Sequence, residues 1–288
     1  MRRSLLKRIA SKVLSENEAK YIIKGMDIIG DIAIIKIPIQ LEDKKYLIAN
    51  EILKLLSNIK VVLRKKSIIT GPYRLMGLEW LAGEKRYTTI YREYGCKFLV
   101  DLSKVFFTPR LSGERIRIAR MVRDGEVIVN MFAGVGTYSI IIAKHAKPKK
   151  VYSIDINPTA VELMKINVKM NKVEDIVIPI LGDSAKIIEE KLCNIADRVL
   201  MPLPELSLKY LKYAIKALKN CYGYIHPYEF IRCSKNENPI EKAIEIYVNE
   251  LEKFNVNFEV LNGRIVGEVA PRKFRIVLDL KLMGLKSR

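Results

Sequence analysis

"IVNMFAGVGTYSIIIAKH", residues 128 to 145, decides how the whole chain reads. A β-branched run gives way to Gly134-Val135-Gly136, and a helical pattern follows at once. Strand, glycine turn and helix together open an α/β unit. Glycines in such a turn either allow a tight bend or let a ligand approach the backbone. In an open parallel sheet the turn lies at the carboxyl edge of the strands, where ligands bind.

The alternation continues to the end of the chain. "KVYSID" reads as a strand and "PTAVELMKINVKMN" as a helix with Pro158 in its first turn. "IVIPILGD", "ADRVLMPL" and "YGYIHPYEFI" read as strands followed by the helices "SAKIIEEKL", "ELSLKYLKYAIKALK" and "PIEKAIEIYVNELEKF". "NFEVLNGRIVGEV" and "KFRIVLDLKL" close the chain as two strands with no helix between them. The expected architecture over 124–288 is a mainly parallel sheet with helices on both faces and an antiparallel hairpin at one edge. Residues 1–110 follow no such rule and read as a smaller α+β domain. It has a hairpin through Gly30, a helix in "KKYLIANEILKLLSNI", and strands in "VVLRKKSII", "YTTIYREYG" and "KFLVDLSKVFF". "SGERIRIARMVRDG" supplies a linker helix over 111–123, with Ser112 as N-cap and Gly125 as stop.

Composition narrows the partners. Fifty-one Lys and Arg face 32 Asp and Glu, a formal charge of +19, which calls for a polyanion. A Lys-rich surface suited to a hot habitat is the plainer account, and the single glutamine, Gln40, agrees with it. No apolar run spans a membrane, and "MRRSLLKRIASKVL" spaces its apolar residues on one helix face rather than as a signal peptide. Cys96, Cys193, Cys221 and Cys233 form no CxxC pair, so free thiols, no metal and a cytoplasmic setting are expected. His145 reads as a helix-end residue.

The glycine motif is not GxGxxG, because Ser139 takes the third glycine position. That disfavours a dinucleotide pyrophosphate. Asp155 ends the second strand of the sheet, where a carboxylate accepts from ribose hydroxyls. Asp183 ends the third, where one can accept from an adenine amino group. Each aspartate alone reads as a helix cap. In register at successive strand ends they describe a nucleoside cofactor with little phosphate, S-adenosylmethionine.

"NMFAGVGTYSIIIAKH", "VYSIDINPTAVELMKINVKMNKVED", "ILGD", "ADRVLMPLP" and "GYIHPYEF" resemble the archaeal and eukaryotic tRNA guanine-37 N1-methyltransferases. "GPYRLMGLEWLAG" and "VDLSKVFFTPRLSGERIRIA" extend the resemblance upstream, so that it covers about residues 60 to 288. It implies a class I methyltransferase fold, S-adenosylmethionine as donor, a monomer, and tRNA as partner through its anticodon stem-loop and body, with residues 1–110 as the docking domain. It implies that Glu114 removes a proton and that Arg74 and Arg115 assist. It places Phe132, Gly134, Gly136, Asp155, Asp183 and Arg110 at the cofactor. It places Phe106, Arg110, Pro202 and Pro204 at the target nucleotide. The family's Asn-Leu-Pro reads Pro202-Leu203-Pro204 here, which removes a side-chain hydrogen-bonding group, and Asn130 stands where an Asp often begins the glycine motif.

Guanine N1 carries a proton at neutral pH, so methylation there needs a base and a donor to O6. From spacing alone, Glu114 with Arg115 or Arg117 reads as an ion pair on a helix surface; the resemblance makes it the base. Tyr222, Tyr224 and Tyr228 alternate along one strand and read either as a stacking face for bases or as packing. Two alternatives remain beside N1-methylation. One is a wybutosine-pathway enzyme acting on the same nucleotide, by aminocarboxypropyl transfer or by methylation of a tricyclic intermediate. The other is a tRNA-binding protein without catalysis, which intact Gly134, Gly136, Asp155 and Asp183 argue against.

Overall fold

The computed structural model describes residues 5–23, 25–71 and 73–286, without the side chains of 67–70. The first four residues of the basic N-terminal segment and Pro72 of "GPYR" lie outside the described residues. The chain divides into two compact units, Met1–Arg110 and Leu111–Arg288.

In the first unit, helix α1 (Leu5–Ala10) turns Leu6, Ile9 and Ala10 inward, the spacing of one helix face. Strands β1 (Met26–Ile29) and β2 (Ile32–Ile35) form the hairpin through Gly30. A Cβ on Gly30 would run into the Thr89 hydroxyl and the Ile90 carbonyl. Helix α2 (Lys45–Leu55) buries Ile48, Ala49 and Ile52. Strands β3 (Val61–Thr70) and β4 (Leu75–Gly83) complete a four-stranded sheet of order β1-β2-β3-β4. Strand β4 comes from "LMGLEWLAG", which shows no clean alternation because nearly every residue in it is half-buried. Strands β5 (Thr88–Glu93) and β6 (Cys96–Asp101) pair as a separate hairpin.

The second unit begins with helix α3 (Ser112–Met121). Ser112 is its first helical residue and not its cap; Leu111 holds the cap position and offers no side-chain acceptor. The helix ends at Met121, four residues before Gly125, whose φ of +80° serves the turn into the sheet. The βα units then follow in order: β7 (Val127–Asn130), α4 (Thr137–His145), β8 (Lys150–Asp155), α5 (Pro158–Asn171), β9 (Val177–Leu181), α6 (Ser184–Ile187), β10 (Arg198–Met201), α7 (Pro204–Ala217), β11 (Tyr222–Arg232) and α8 (Pro239–Leu251). The helix read over "SAKIIEEKL" is one α turn followed by a π turn through Leu192. Strands β12 (Val256–Ala270) and β13 (Lys273–Leu285) end the chain.

The seven strands lie in the order β12-β13-β11-β10-β7-β8-β9. Strands β7 to β11 run parallel, and β13 inserts antiparallel between β11 and β12. The order reverses between β7 and β10, which opens a crevice at their carboxyl ends. The tyrosines of β11 do not form one open face. Tyr222 is exposed, Tyr224 lies under the guanidinium groups of Arg198 and Arg123, and Tyr228 is core.

Candidate active site

Strand β7 delivers the chain into the glycine turn from a fully buried Asn130. Its amide donates to Ser139 at 3.1 Å, and Ser153 donates to the same hydroxyl at 2.7 Å. This explains a serine at the third glycine position: Ser139 is the hub of a buried polar cluster joining β7, α4 and β8. The two glycines do different work. Gly136 has φ +88°, and a Cβ there would lie 2.8 Å from Met164 Cγ, so a side chain would be strained and would have to displace Met164 of α5. Gly134 has φ +56°, and a Cβ there would meet nothing within 4 Å. Its missing side chain leaves open space beside the backbone.

Asp155 ends β8 and organises that turn. One carboxylate oxygen accepts the Gly134 N–H at 2.7 Å and the other accepts the Asn157 N–H at 2.9 Å. Burial pushes its carboxyl up, against the pull of these backbone donors. Asp183 caps α6 through the N–H groups of Ala185 and Lys186, and its other oxygen accepts from the Tyr210 hydroxyl at 2.8 Å. Burial and that carboxylate push the Tyr210 phenol up to about 12. Tyr210 also meets Phe132 edge to face, ring centroids 5.5 Å apart. Two residues that sequence reading passed over join this edge. Ile156 follows Asp155, and Leu181 pairs with Asp155 across the sheet. Both are about half exposed at the carboxyl ends of their strands.

Pro202 and Pro204 sit where β10 turns into α7. Pro204 is buried at the first helical position, and Ser207 holds the turn by donating to the carbonyls of Met201 and Leu203. Pro202 is half-buried and presents only its ring.

Glu114, in the first turn of α3, is not at the surface: it is 3% exposed. Arg117 Nε and Nη2 donate to its two oxygens at 2.9 and 2.7 Å, and the Tyr228 hydroxyl donates at 2.9 Å. Tyr138, second residue of the helix that leaves the glycine turn, donates to Tyr228 at 3.0 Å. Burial pushes the phenols of Tyr138 and Tyr228 up, which keeps both as donors. Arg115 is buried beside Glu114 in sequence and acts electrostatically on Tyr138. Arg117 is shared with Asp279 of β13 at 2.7 and 3.0 Å. A lone acid inside the apolar run "IVLDLKL" was the available signal for Asp279.

In the first unit, Arg74 and Phe106 come together, the guanidinium carbon 4.8 Å from the ring centroid. Arg74 takes a left-handed φ of +56°, an unusual backbone state for a non-glycine residue. Arg110 is bound by Asp27 through three hydrogen bonds of 2.8 to 3.1 Å and remains two-thirds exposed.

Comparison with known proteins shows the family. Residues 89–259 match the description "TRM5/TYW2 methyltransferase domain". The chain belongs to the TRM5/TYW2 methyltransferase family. Residues 6–86 match "TYW2 N-terminal domain". The tRNA 4-demethylwyosine(37)-methyltransferase Taw21 of Saccharolobus solfataricus is 40% identical over 90% of this chain and 94% of its own length. The tRNA (guanine(37)-N(1))-methyltransferase Trm5b of Pyrococcus abyssi is 40% identical over 91% of this chain and 76% of its own. A tRNA(Phe) (4-demethylwyosine(37)-C(7)) aminocarboxypropyltransferase of Methanocaldococcus jannaschii is 35% identical over 88% and 96%. Among solved structures, Trm5b from Pyrococcus abyssi superposes with a TM-score of 0.85 at 38% identity, covering 98% of this chain and 82% of that one. A complex of aTrm5 with tRNALeu gives 0.83 at 37% identity, covering 98% and 79%. TYW2 of M. jannaschii, bound to AdoMet, gives 0.68 at 29%, covering 91% and 100%. The fold of this TRM5/TYW2 member is therefore that of a class I methyltransferase, with a smaller α+β domain before it. Among the described residues no group of His, Cys, Asp and Glu is arranged to hold a metal, and no helix is long and apolar enough to cross a membrane.

Proposed function

We propose that this protein transfers a methyl group from S-adenosylmethionine to N1 of guanosine at position 37 of tRNA. The observation that carries the reading is the likeness to guanosine-37 N1-methyltransferases at 40% identity over nine-tenths of the chain. The residues at the carboxyl edge fit that donor. Gly134 leaves room at the backbone, Asp155 offers anionic acceptors for ribose hydroxyls, and Ile156 and Leu181 offer apolar faces for a purine. Asp183 retains acceptor capacity beyond its cap and its Tyr210 bond. When bound, S-adenosylmethionine supplies a methyl group activated by its sulfonium.

The protein's own residues do the rest. Glu114 accepts the N1 proton, and Arg117 and Tyr228 keep the carboxylate in place meanwhile. Arg74 and Arg115 balance charge that develops on O6. Phe106 stacks with Arg74 and offers the base an aromatic contact. Residues 1–110 form the tRNA-docking domain, and the excess of 19 positive charges draws the polyanion. The protein acts as a cytoplasmic monomer.

A second reading is methylation of a tricyclic derivative of the same nucleotide. Pro202 favours it, because no amide is present to read the guanine edge. Likeness to a 4-demethylwyosine methyltransferase over 94% of that protein's length also favours it. Incubation with labelled S-adenosylmethionine, one tRNA bearing guanosine-37 and one bearing 4-demethylwyosine, separates the two. N1-methylguanosine in the nucleoside mass spectrum is the expected product. Methylation of the tricyclic base alone, or gain of an aminocarboxypropyl group, overturns the proposal.

A further inference from the structure

Glu114 is one end of a longer buried chain. Arg117 passes from Glu114 to Asp279, and Asp279 accepts from His226 Nδ1 at 2.7 Å. His226 Nε2 lies 2.6 Å from Arg198 Nη1. Arg198 in turn grips Glu126 at 2.7 and 2.9 Å and donates at 2.8 Å to the carbonyl of Met121, the last residue of α3. The helix that carries Glu114 and Arg117 is therefore held by Tyr228 at Glu114, by Asp279 at Arg117 and by Arg198 at its last carbonyl.

The chemistry of the chain is fixed from both sides. An arginine can only donate, so His226 Nε2 must accept, and Nδ1 carries the proton given to Asp279. Burial lowers the His226 pKa, with Asp279 opposing, so the ring is held neutral. Burial alone would raise the Asp279 carboxyl, but hydrogen bonds from His226 and Arg117 outweigh it and hold that group well below the usual range. Asp279 thus stays anionic against Arg117, and Arg117 presents its remaining edge to Glu114. Removing any one member would leave an uncompensated buried charge, so the set holds together as a unit. Glu114 itself is bound on both oxygens but keeps lone pairs for one further donor.

We infer that Arg117 and Asp279 are positioning residues that set the Glu114 carboxylate for proton removal, anchored through His226 to Arg198. This rests on the reading of Glu114 as the base. Misplacement of a reacting group by about 1 Å can cost roughly 100-fold in rate. Asp279→Asn keeps the shape and removes the charge that holds Arg117. The single-turnover rate on a guanosine-37 transcript should fall about 10- to 100-fold, with affinities for tRNA and S-adenosylmethionine changed less than about twofold. A role in substrate binding would instead move those affinities alongside the rate, whereas a lower melting temperature is expected in either case because Arg117 loses a buried counter-ion.

A double-mutant cycle with Glu114→Gln gives the test. If Asp279 acts through Glu114, adding Asp279→Asn to Glu114→Gln should slow the reaction little further. An equal fold-loss in both backgrounds, or no loss in the single variant, overturns the positioning role while leaving Glu114 as base. A fully active Glu114→Gln overturns the base reading itself. Should Asp279→Asn fail to fold, His226→Asn runs through the same cycle, because its amide can donate to Asp279 in place of Nδ1 while the shorter side chain no longer reaches Arg198 as Nε2 does. It should slow the single-turnover rate less than Asp279→Asn, and again only when Glu114 is present.

Discussion

Asp155→Asn separates the two duties of the residue that ends β8. In the free protein its oxygens hold the Gly134 and Asn157 N–H groups at 2.7 and 2.9 Å. Asparagine keeps one carbonyl acceptor and turns an amide donor toward the other N–H. One charge-assisted bond is lost, about 1.5–3 kcal/mol of stability. Toward the ribose the change is smaller. Neutral hydrogen bonds are roughly half as strong as charge-assisted ones, so the donor should lose about 1–1.5 kcal/mol, or roughly five- to tenfold in affinity. Asp155→Ala removes the acceptor altogether and should lose about 1.5–3 kcal/mol, roughly 10- to 150-fold. The pH dependence adds a sign. Because burial raises the Asp155 pKa, the free protein takes up this proton at a higher pH than an ordinary aspartate does. Ribose donors favour the ionised carboxylate, so affinity should fall as pH drops through that raised value, and the asparagine variant should lack this limb. Calorimetry with S-adenosylmethionine at several pH values, beside thermal melts, measures all of it. Equal affinity in the wild type and both variants, with the fold intact, would refute the placement of the cofactor at Asp155.

The two glycines should separate in the same way. Each pays about 1–2 kcal/mol for an alanine in left-handed backbone. Gly136→Ala also strikes Met164 and should lower the melting temperature more, while Gly134→Ala extends into open space and should lower cofactor affinity more; the reverse ranking would contradict their assigned roles. Glu114→Gln should slow the chemical step about 10²–10⁴-fold, with the rate recovering at high pH as the guanine ionises by itself. It should also lower stability, because the amide turns a donor toward Arg117, so rates must be read well below the melting temperature. Stability should fall in acid. Relative to the unfolded chain, the folded pKa values of His226 and Asp279 are both depressed, so the unfolded chain binds more protons. The loss should begin below about pH 6.5 for His226 and below about pH 4 for Asp279. Urea denaturation at pH 7.5 and 5.5 should show a flatter profile for His226→Asn. Affinity for tRNA should fall steeply with salt; a salt-independent dissociation constant would remove the role of the basic surface.

The sequence alone determined the sheet of the second unit and which residues stand at the carboxyl ends of its strands. Each βα unit there is a local event: Pro158 starts a helix, Asn157 caps it, and a β-branched run precedes the glycine turn. Asp155 and the glycine turn could be found because strand ends follow from that local order. Strand β4 escaped because burial on both faces erases the period of two that marks a strand. The position of β13 between β11 and β12 escaped for another reason, since pairing order is set by which faces must be covered, far apart in sequence. The same holds at the site. Spacing could show Glu114 three residues from Arg117, which is an ordinary surface pair on an isolated helix. Only the tertiary structure buries that pair, brings Asp279 to it from 162 residues away, and adds Tyr228 and His226 from a third element. Nor does sequence say why two glycines were needed. Packing against Met164 demands one and empty space allows the other, and that difference exists only once α5 lies beside the turn.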